Sequence, residues 1–410
     1  MNKPSGDSVS GGKALATGMN QPSRKADFVI VEPSRTCCDY YGRVLDPIGK
    51  LRLLAIGTRR GVDGIRPEHT QLNPLIGLVA YIGARLLPPY QGEAFRFRLL
   101  PWFDRWAKKL LQPGDNVLSS YGYANECFKY ARQHGGKTFL DAGNSHMENF
   151  WQIVSEEHRR WNCSYPPVSP HWYRRSIAML KNVDYVLCPS SYVAQSFLDR
   201  GFRREQILQN MYPADLSLFH PTSTPRPKER PLTIINTGQL SLRKGTPYLL
   251  EAFRLVRSHE PSARLLLSRN IRDDMKLILG RYGDLPIEWA PGLAHEQLAE
   301  RLRSGDVFVM LSLEEGLVRT ALEAMACGLQ VVVTYNTGTS DFVKPGINGE
   351  VVPIRDSKAA AEAILKCWRR IQDGFVPQVG DLQTRLSSQT FANVFANQLS
   401  SLGHFSKNSD

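Results

Sequence analysis

The stretch LTIINTGQLSLRKGTPYLLEAF (232–253) decides the fold: an apolar run, a turn at Gly238, a loop presenting Arg243, Lys244 and Gly245, and a segment of helical period follow one another. The pattern then repeats. Short apolar runs return at ARLLLS (263–268), PIEWA (286–290), DVFVML (306–311), LQVVVT (329–334) and EVVP (350–353), with longer helical stretches between them. Strands alternating with helices predict a parallel sheet, since parallel neighbours need a crossover long enough to hold a helix. This half of the chain is predicted to be a doubly wound, Rossmann-like α/β domain.

Upstream, FVIVE (28–32), LRLLA (51–55), NVLSS (116–120), KTFLD (137–141), DYVLC (184–188) and QILQN (206–210) repeat the alternation less cleanly and predict a second α/β domain. A length of 410 residues agrees, because single hydrophobic cores stop growing well below that size. The expected division is a disordered tail over 1–25, a first domain over 26–220, a linker over 221–231, a second domain over 232–378, and a C-terminal helix and tail over 379–410. The linker, within HPTSTPRPKERP (220–231), is polar, basic and proline-rich. The tail is rich in Ser, Gly and Lys and lacks the apolar segment of a signal peptide, which points to a cytoplasmic protein. Two open α/β domains facing each other place the carboxyl ends of both sheets at a shared cleft, where ligands of this architecture bind.

Bulk composition narrows the function. With 42% hydrophobic and 22% charged residues, the chain reads as an ordinary globular protein. Its seven cysteines, at 37, 38, 127, 163, 188, 327 and 367, show no CxxC spacing, which fits reduced thiols, with Cys188 and Cys327 as buried packing residues. A net charge of +12 implies an anionic partner. Nucleic acid is disfavoured, as no RNP-like motif, zinc-finger spacing or long basic block occurs.

The longest apolar run, Leu75–Ala84 within NPLIGLVAYIGARLLPP, falls far short of the roughly 18 residues that span a bilayer and is expected to be a buried helix. The segment FRFRLLPWFDRWAKKLL (95–111) mixes aromatic and basic residues. A buried amphipathic helix is the favoured reading, and peripheral contact with an anionic membrane, at the inner face of the plasma membrane, is the alternative.

Three segments carry chemistry. The Arg243-Lys244 pair sits at a strand's carboxyl end, where a planar fork of donors beside a mobile ammonium suits a diphosphate; a solvated surface loop is the plainer reading. In SLEEGLVRTALEAMACGLQVVVT (312–334), Glu315 precedes Gly316 at a strand end and Glu323 follows in the next helix, a Glu-x7-Glu spacing. Gly316 permits close backbone approach, and the helix start at Leu317, Val318 and Arg319 offers N–H groups to an anion. Both carboxylates can accept hydrogen bonds from sugar hydroxyls, although each would also be ordinary as a helix-terminal or solvated residue. In KTFLDAGNSHMENFWQIVSEEHRRW (137–161), a strand runs into a small-residue loop and His146 is expected to face the cleft, either orienting a substrate hydroxyl or serving structure. Glu156-Glu157 and Arg159-Arg160 are expected to pair along a helix surface.

These segments resemble the retaining nucleotide-sugar glycosyltransferases of family 4. The resemblance runs over about residues 137–368 and rests on the GNSH loop, DYVLCPSSYVAQSFLDRGF (184–202), NMYPADLSLFHP (210–221), the Gly238–Gly245 loop and the Glu-x7-Glu segment, in the family's order. It implies the GT-B fold, two Rossmann-like doubly wound domains facing a central cleft. It also implies that Arg243 and Lys244 hold the donor diphosphate beside Gly238, that Glu323 takes the ribose hydroxyls, and that Glu315 with the Gly316–Val318 backbone contacts the donor sugar. His146 matches the histidine of the acceptor-side domain. No metal or other cofactor is implied; the nucleotide sugar is a substrate. The first strand lacks the family's glycine pair, and Asp341 stands where a glutamate is usual.

The resulting expectation is an enzyme moving a hexose-type sugar, with retention, from a nucleotide-sugar donor to a glycan or lipid-linked acceptor in bacterial surface polysaccharide assembly. An epimerase or hydrolase of the same fold, or an inactive donor-binding scaffold, are the alternatives. A dehydrogenase is disfavoured because no GxGxxG follows any of the strands.

Overall fold

The computed structural model describes residues 27–164, 166–222, 229–292, 294–375 and 380–403. The tail expected over 1–25 and most of the proline-rich linker lie outside the described residues.

Two parallel sheets organise the chain. The first holds β1 (Phe28–Glu32), β2 (Leu51–Ile56), β3 (Thr70–Leu72), β4 (Asn116–Ser120), β5 (Thr138–Asp141), β6 (Tyr185–Cys188) and β7 (Ile207–Gln209), in the order β3-β2-β1-β4-β5-β6-β7. The second holds β8 (Thr233–Asn236), β9 (Arg264–Ser268), β10 (Ile287–Ala290), β11 (Val307–Met310), β12 (Gln330–Thr334) and β13 (Gly349–Val352), in the order β10-β9-β8-β11-β12-β13. In both, the strand order reverses beside the first strand, which is the doubly wound arrangement predicted. Each of the twelve short apolar runs read as strands contains one. The sequence reading missed β3, TQL, two of whose three residues are polar and which sits at the sheet edge.

Period-two alternation fills a core on each face of each sheet. In the first sheet Val29, Val31, Val117 and Leu140 pack into one helix layer, while Phe28, Ile30, Leu118 and Phe139 pack into the other. In the second, Ile234, Leu265, Val307, Val309 and Val332 face one way and Ile235, Leu266, Phe308 and Val333 the other. Cys188 and Cys327 are buried as expected, and none of the seven cysteines is in a disulfide.

The C-terminal helix, Ser388–Ser401, crosses back to the first sheet rather than staying with the second. Phe391, Phe395 and Leu399 enter the core beside Tyr41 and Leu45, and the Phe395 and Tyr41 rings lie 4.8 Å apart. Gln398 Nε2 donates to the Gln209 carbonyl at 2.8 Å. The chain's end thereby ties the two halves together.

One expectation is corrected. The Leu75–Ala84 run forms part of the Pro74–Leu86 helix, but that helix lies on the surface with Leu75, Val79, Tyr81, Ile82 and Leu86 exposed. It packs chiefly on the following helix, Pro89–Lys108, and no layer among the described residues covers its outer face. The 95–111 segment behaves as the amphipathic reading expected: Leu100, Phe103 and Ala107 are buried in the first domain, while Trp102 is exposed. No helix among the described residues is long and apolar enough to cross a membrane.

Candidate active site

The basic loop is held rigidly at the mouth of β8. Asn236 Oδ1 accepts the Gly238 N–H at 2.9 Å, Asp274 accepts the Leu242 N–H at 3.2 Å, and the Arg243 carbonyl accepts the Leu313 N–H at 2.8 Å. Gly245 starts the next helix, Thr246–His259, in the left-handed region at φ +66°, and a Cβ there would lie 1.8 Å from the Leu311 carbonyl oxygen. Only glycine fits both demands.

Within this frame Arg243, Lys244 and Glu315 form one ionic unit. Arg243 Nη1 donates to Glu315 Oε2 at 2.7 Å and to the Glu314 carbonyl at 2.8 Å, and Lys244 Nζ donates to the same Glu315 oxygen. Burial alone would push the Glu315 carboxyl up, but the two cations together hold it below the usual carboxylate range. Burial draws the Lys244 ammonium down against the pull of Glu315. The Arg-Lys pair is therefore not a solvated surface dipeptide. Two cations converge on Glu315 at a strand's carboxyl end, with Arg243 also 3.9 Å from Glu314 Oε2; a polyanion that displaced Glu315 would take over both cations.

Gly316 follows, and here the two halves of the chain meet. A Cβ on Gly316 would fall 2.0 Å from the Gly143 carbonyl oxygen, so this contact between the SLEEG and GNSH loops exists only because residue 316 has no side chain. The helix it leads into is Arg319–Ala326. Of the N–H groups expected to receive an anion, that of Val318 donates to Thr339 Oγ1 at 3.0 Å, while those of Leu317 and Arg319, like that of Gly316, make no hydrogen bond among the described residues. Glu323 lies on this helix with its Oε2 buried and without a partner. Burial raises its pKa, partly opposed by His295 and Arg319. An orphaned, buried acceptor is what a hydroxyl-bearing ligand would satisfy.

His146 departs from expectation. Its loop reaches the cleft, but the imidazole is 5% exposed, packs edge-on to Phe197 with centroids 5.2 Å apart, and caps the Met147–Arg160 helix by accepting the Glu148 N–H at 3.3 Å. Burial lowers its pKa to about 4, so the ring is neutral. A helix start with aromatic neighbours on its inner side draws the ring inward.

The residue that reaches between the loops is Glu314, which the sequence reading passed over. It is fully buried; one carboxylate oxygen accepts the Ser145 N–H at 2.7 Å and the other the Asn144 side-chain amide at 3.0 Å. Its pKa is raised, chiefly by burial. Further links cross the same boundary. Asp341, noted for replacing a glutamate, accepts the Ser191 N–H at 2.8 Å. Glu157, expected on a helix surface, is instead buried and accepts from Arg355 and Tyr248, each at 2.7 Å. Its neighbour Glu156 does pair along the helix with Arg160, at 2.9 Å.

Behind the cleft wall of the first domain lies an unexpected acidic cluster. Cys38 Sγ donates to Glu32 Oε1 at 3.2 Å and to Asp141 Oδ2 at 3.4 Å, and Tyr212 donates to Asp141 at 2.5 Å. Burial pushes Glu32 up to about 8 and Asp141 to about 6. No motif announces this cluster, since its members come from three separated stretches, 32–38, 141 and 212.

Residues 231–370 match a family model described as "Glycosyl transferases group 1". Over 248 residues the chain is 26% identical to WcaL of Escherichia coli, named as a colanic acid biosynthesis glycosyltransferase, covering 58% of this chain and 59% of that one. Over 196 residues it is 29% identical to the lipopolysaccharide core biosynthesis glycosyltransferase LpsE of Rhizobium meliloti, covering 47% of this chain and 56% of that one. The chain thus spans a little over half the length of these two relatives. Among solved structures, sucrose-phosphate synthase from Thermosynechococcus elongatus superposes with a TM-score of 0.64 at 19% identity, over 93% of this chain and 99% of that one. Anabaena HepE, solved in complex with UDP and glucose, superposes with a TM-score of 0.61 at 15% identity, over 92% and 100%. At these identities the likeness establishes the architecture: two parallel sheets facing a cleft, as in GT-B glycosyltransferases.

Proposed function

With a glycosyl transferases group 1 domain at residues 231–370 of a GT-B fold, we propose that this protein transfers a hexose-type sugar, with retention of configuration, from a nucleotide-sugar donor to a glycan or lipid-linked acceptor. The observation that carries the reading is the part-buried ionic unit of Arg243, Lys244 and Glu315, together with the unpartnered Glu323 oxygen. In this reading Arg243 and Lys244 take the donor diphosphate, helped by the free Gly316 and Leu317 N–H groups. Glu315, relieved of part of its pairing, turns to the donor sugar, and Glu323 receives the ribose hydroxyls. His146 acts through its loop rather than through a charged imidazole. Charge on the departing nucleotide is met by fixed cations in a partly buried site, the arrangement that most effectively stabilises a developing anion.

The bound UDP of HepE supports a nucleotide donor, and the names of WcaL and LpsE support a place in bacterial surface polysaccharide assembly. The basic charge and exposed apolar helix support peripheral contact with the inner face of the plasma membrane. The test is a thermal-shift screen against a panel of nucleotide sugars, followed by mass spectrometry and anomeric NMR of the product. Transfer adds a sugar's mass to a second molecule and keeps the donor's anomeric configuration; epimerisation preserves donor mass, hydrolysis yields free sugar, and no stabilisation by any donor rejects the reading. Because the cations are the protein's own, transfer is expected to persist in excess EDTA; a loss restored by added divalent cation would contradict that assignment.

A further inference from the structure

Glu314 is fully buried and makes contacts in two directions. Its place in the second domain is fixed by its neighbours. The Leu313 N–H donates to the Arg243 carbonyl at 2.8 Å, the Leu313 carbonyl accepts the Asn336 side-chain amide at 3.0 Å, and the Glu315 N–H donates to the Asn336 carbonyl at 3.0 Å. The Glu314 carbonyl accepts from Arg243 Nη1 at 2.8 Å, and Glu314 Oε2 lies 3.9 Å from the same nitrogen. A cation expected to meet the donor diphosphate is therefore seated on Glu314 itself.

The carboxylate reaches the other way, into the first domain. Oε1 accepts the Ser145 N–H at 2.7 Å and Oε2 the Asn144 side-chain amide at 3.0 Å. The segment it grips is also held from behind: the Ser145 carbonyl accepts the Tyr121 hydroxyl at 3.0 Å, and the His146 N–H donates to Ser196 Oγ at 2.8 Å. Two fixed loops joined by one short side chain with both oxygens engaged have a single relative position. Burying a carboxylate to join them is costly, and the two N–H donors and the nearby guanidinium offset that cost only in this alignment.

We propose that Glu314 is a positioning residue for sugar transfer: it sets the Asn144–His146 loop in register with the donor cations Arg243 and Lys244 and touches neither substrate. The proposal rests on the transferase reading and adds to it a residue that acts through its neighbours. A displacement of about 1 Å between parts of a reacting site costs on the order of 10² in rate, which sets the scale of the effect.

Paired substitutions in the full chain test it, with UDP as the probe of the donor site and transfer measured with the donor found in the nucleotide-sugar screen. Glu314→Ala removes both acceptors and should lower kcat by about 10², while UDP affinity in calorimetry stays within about threefold, because the groups expected to hold the nucleotide lie in the second domain. Glu314→Gln keeps an acceptor for the Ser145 N–H and lets the Asn144 amide turn over to meet it, so kcat should stay within about threefold of wild type. Asn144→Asp sets two carboxylates face to face and should be as damaging as Glu314→Ala; adding Glu314→Gln restores a donor-acceptor pair and should recover kcat to within about tenfold of wild type. An unchanged kcat in Glu314→Ala overturns the proposal. So does a loss of UDP affinity as large as the loss of kcat, or an Asn144→Asp defect that Glu314→Gln does not relieve. A wild type that neither binds UDP nor transfers sugar rejects the transferase reading, and this inference with it, before any variant is compared.

Discussion

Arg243, Lys244 and Glu315 share so little space that none can change without disturbing the others. Removing one preorganised cation from such a site typically costs about 10²–10³ in rate. Lys244→Ala is therefore expected to lower sugar transfer by that factor in steady-state assays, and near-normal turnover would sink its role. Glu314 and Glu315, adjacent in the sequence, serve opposite directions: Glu315 faces the cations of its own domain and Glu314 faces the Asn144-Ser145 loop. His146 is similarly redirected. Its buried ring and cap predict that His146→Ala destabilises the fold by about 2 kcal/mol in urea unfolding, with a modest effect on the chemical step.

Among elements, the decisive contact is between the loop after β11 and the loop after β5. Gly316→Ala would place a methyl carbon 2.0 Å from the Gly143 oxygen, forcing the loops apart. Neither backbone can yield cheaply, because Glu314 ties one loop to the other. The variant is expected to keep its far-UV circular dichroism yet show a larger radius of gyration by solution scattering and a large loss of transfer. An unchanged radius would show that the contact does not govern closure. The Pro74–Leu86 helix illustrates a different limit at this scale. Its spacing was legible, but an apolar run alone cannot say whether another layer will cover it.

For the whole molecule, buried titratable groups set the pH response. Glu32 is raised from 4.5 to about 8 and Asp141 from 3.8 to about 6, so the folded state holds protons that the unfolded chain has already released. Their contribution is greatest below about 4 and is lost as pH climbs towards 8. His146 acts in the opposite sense: lowered from 6.5 to about 4, it favours the fold above 6.5 and loses that contribution as pH falls towards 4. Below about 6.5 the two carboxyls together outweigh His146, so these groups make thermal stability fall as pH rises from about 4 towards 8, and Glu32→Gln should flatten that alkaline arm. An alkaline arm unchanged in that variant would remove Glu32 as its source.

The sequence by itself determined the strands and the basic loop, because hydrophobic periodicity and strand-to-helix turns are local properties of the chain. Six runs after residue 231 became six parallel strands, and Arg243-Lys244 emerged at a strand mouth as predicted. Tertiary structure alone decided which carboxylate crosses the cleft, which way His146 turns, that the last helix returns to the first sheet, and that Glu32, Cys38, Asp141 and Tyr212 meet. These depend on contacts between residues tens to hundreds of positions apart, where side-chain direction and burial, and not local spacing, settle the outcome.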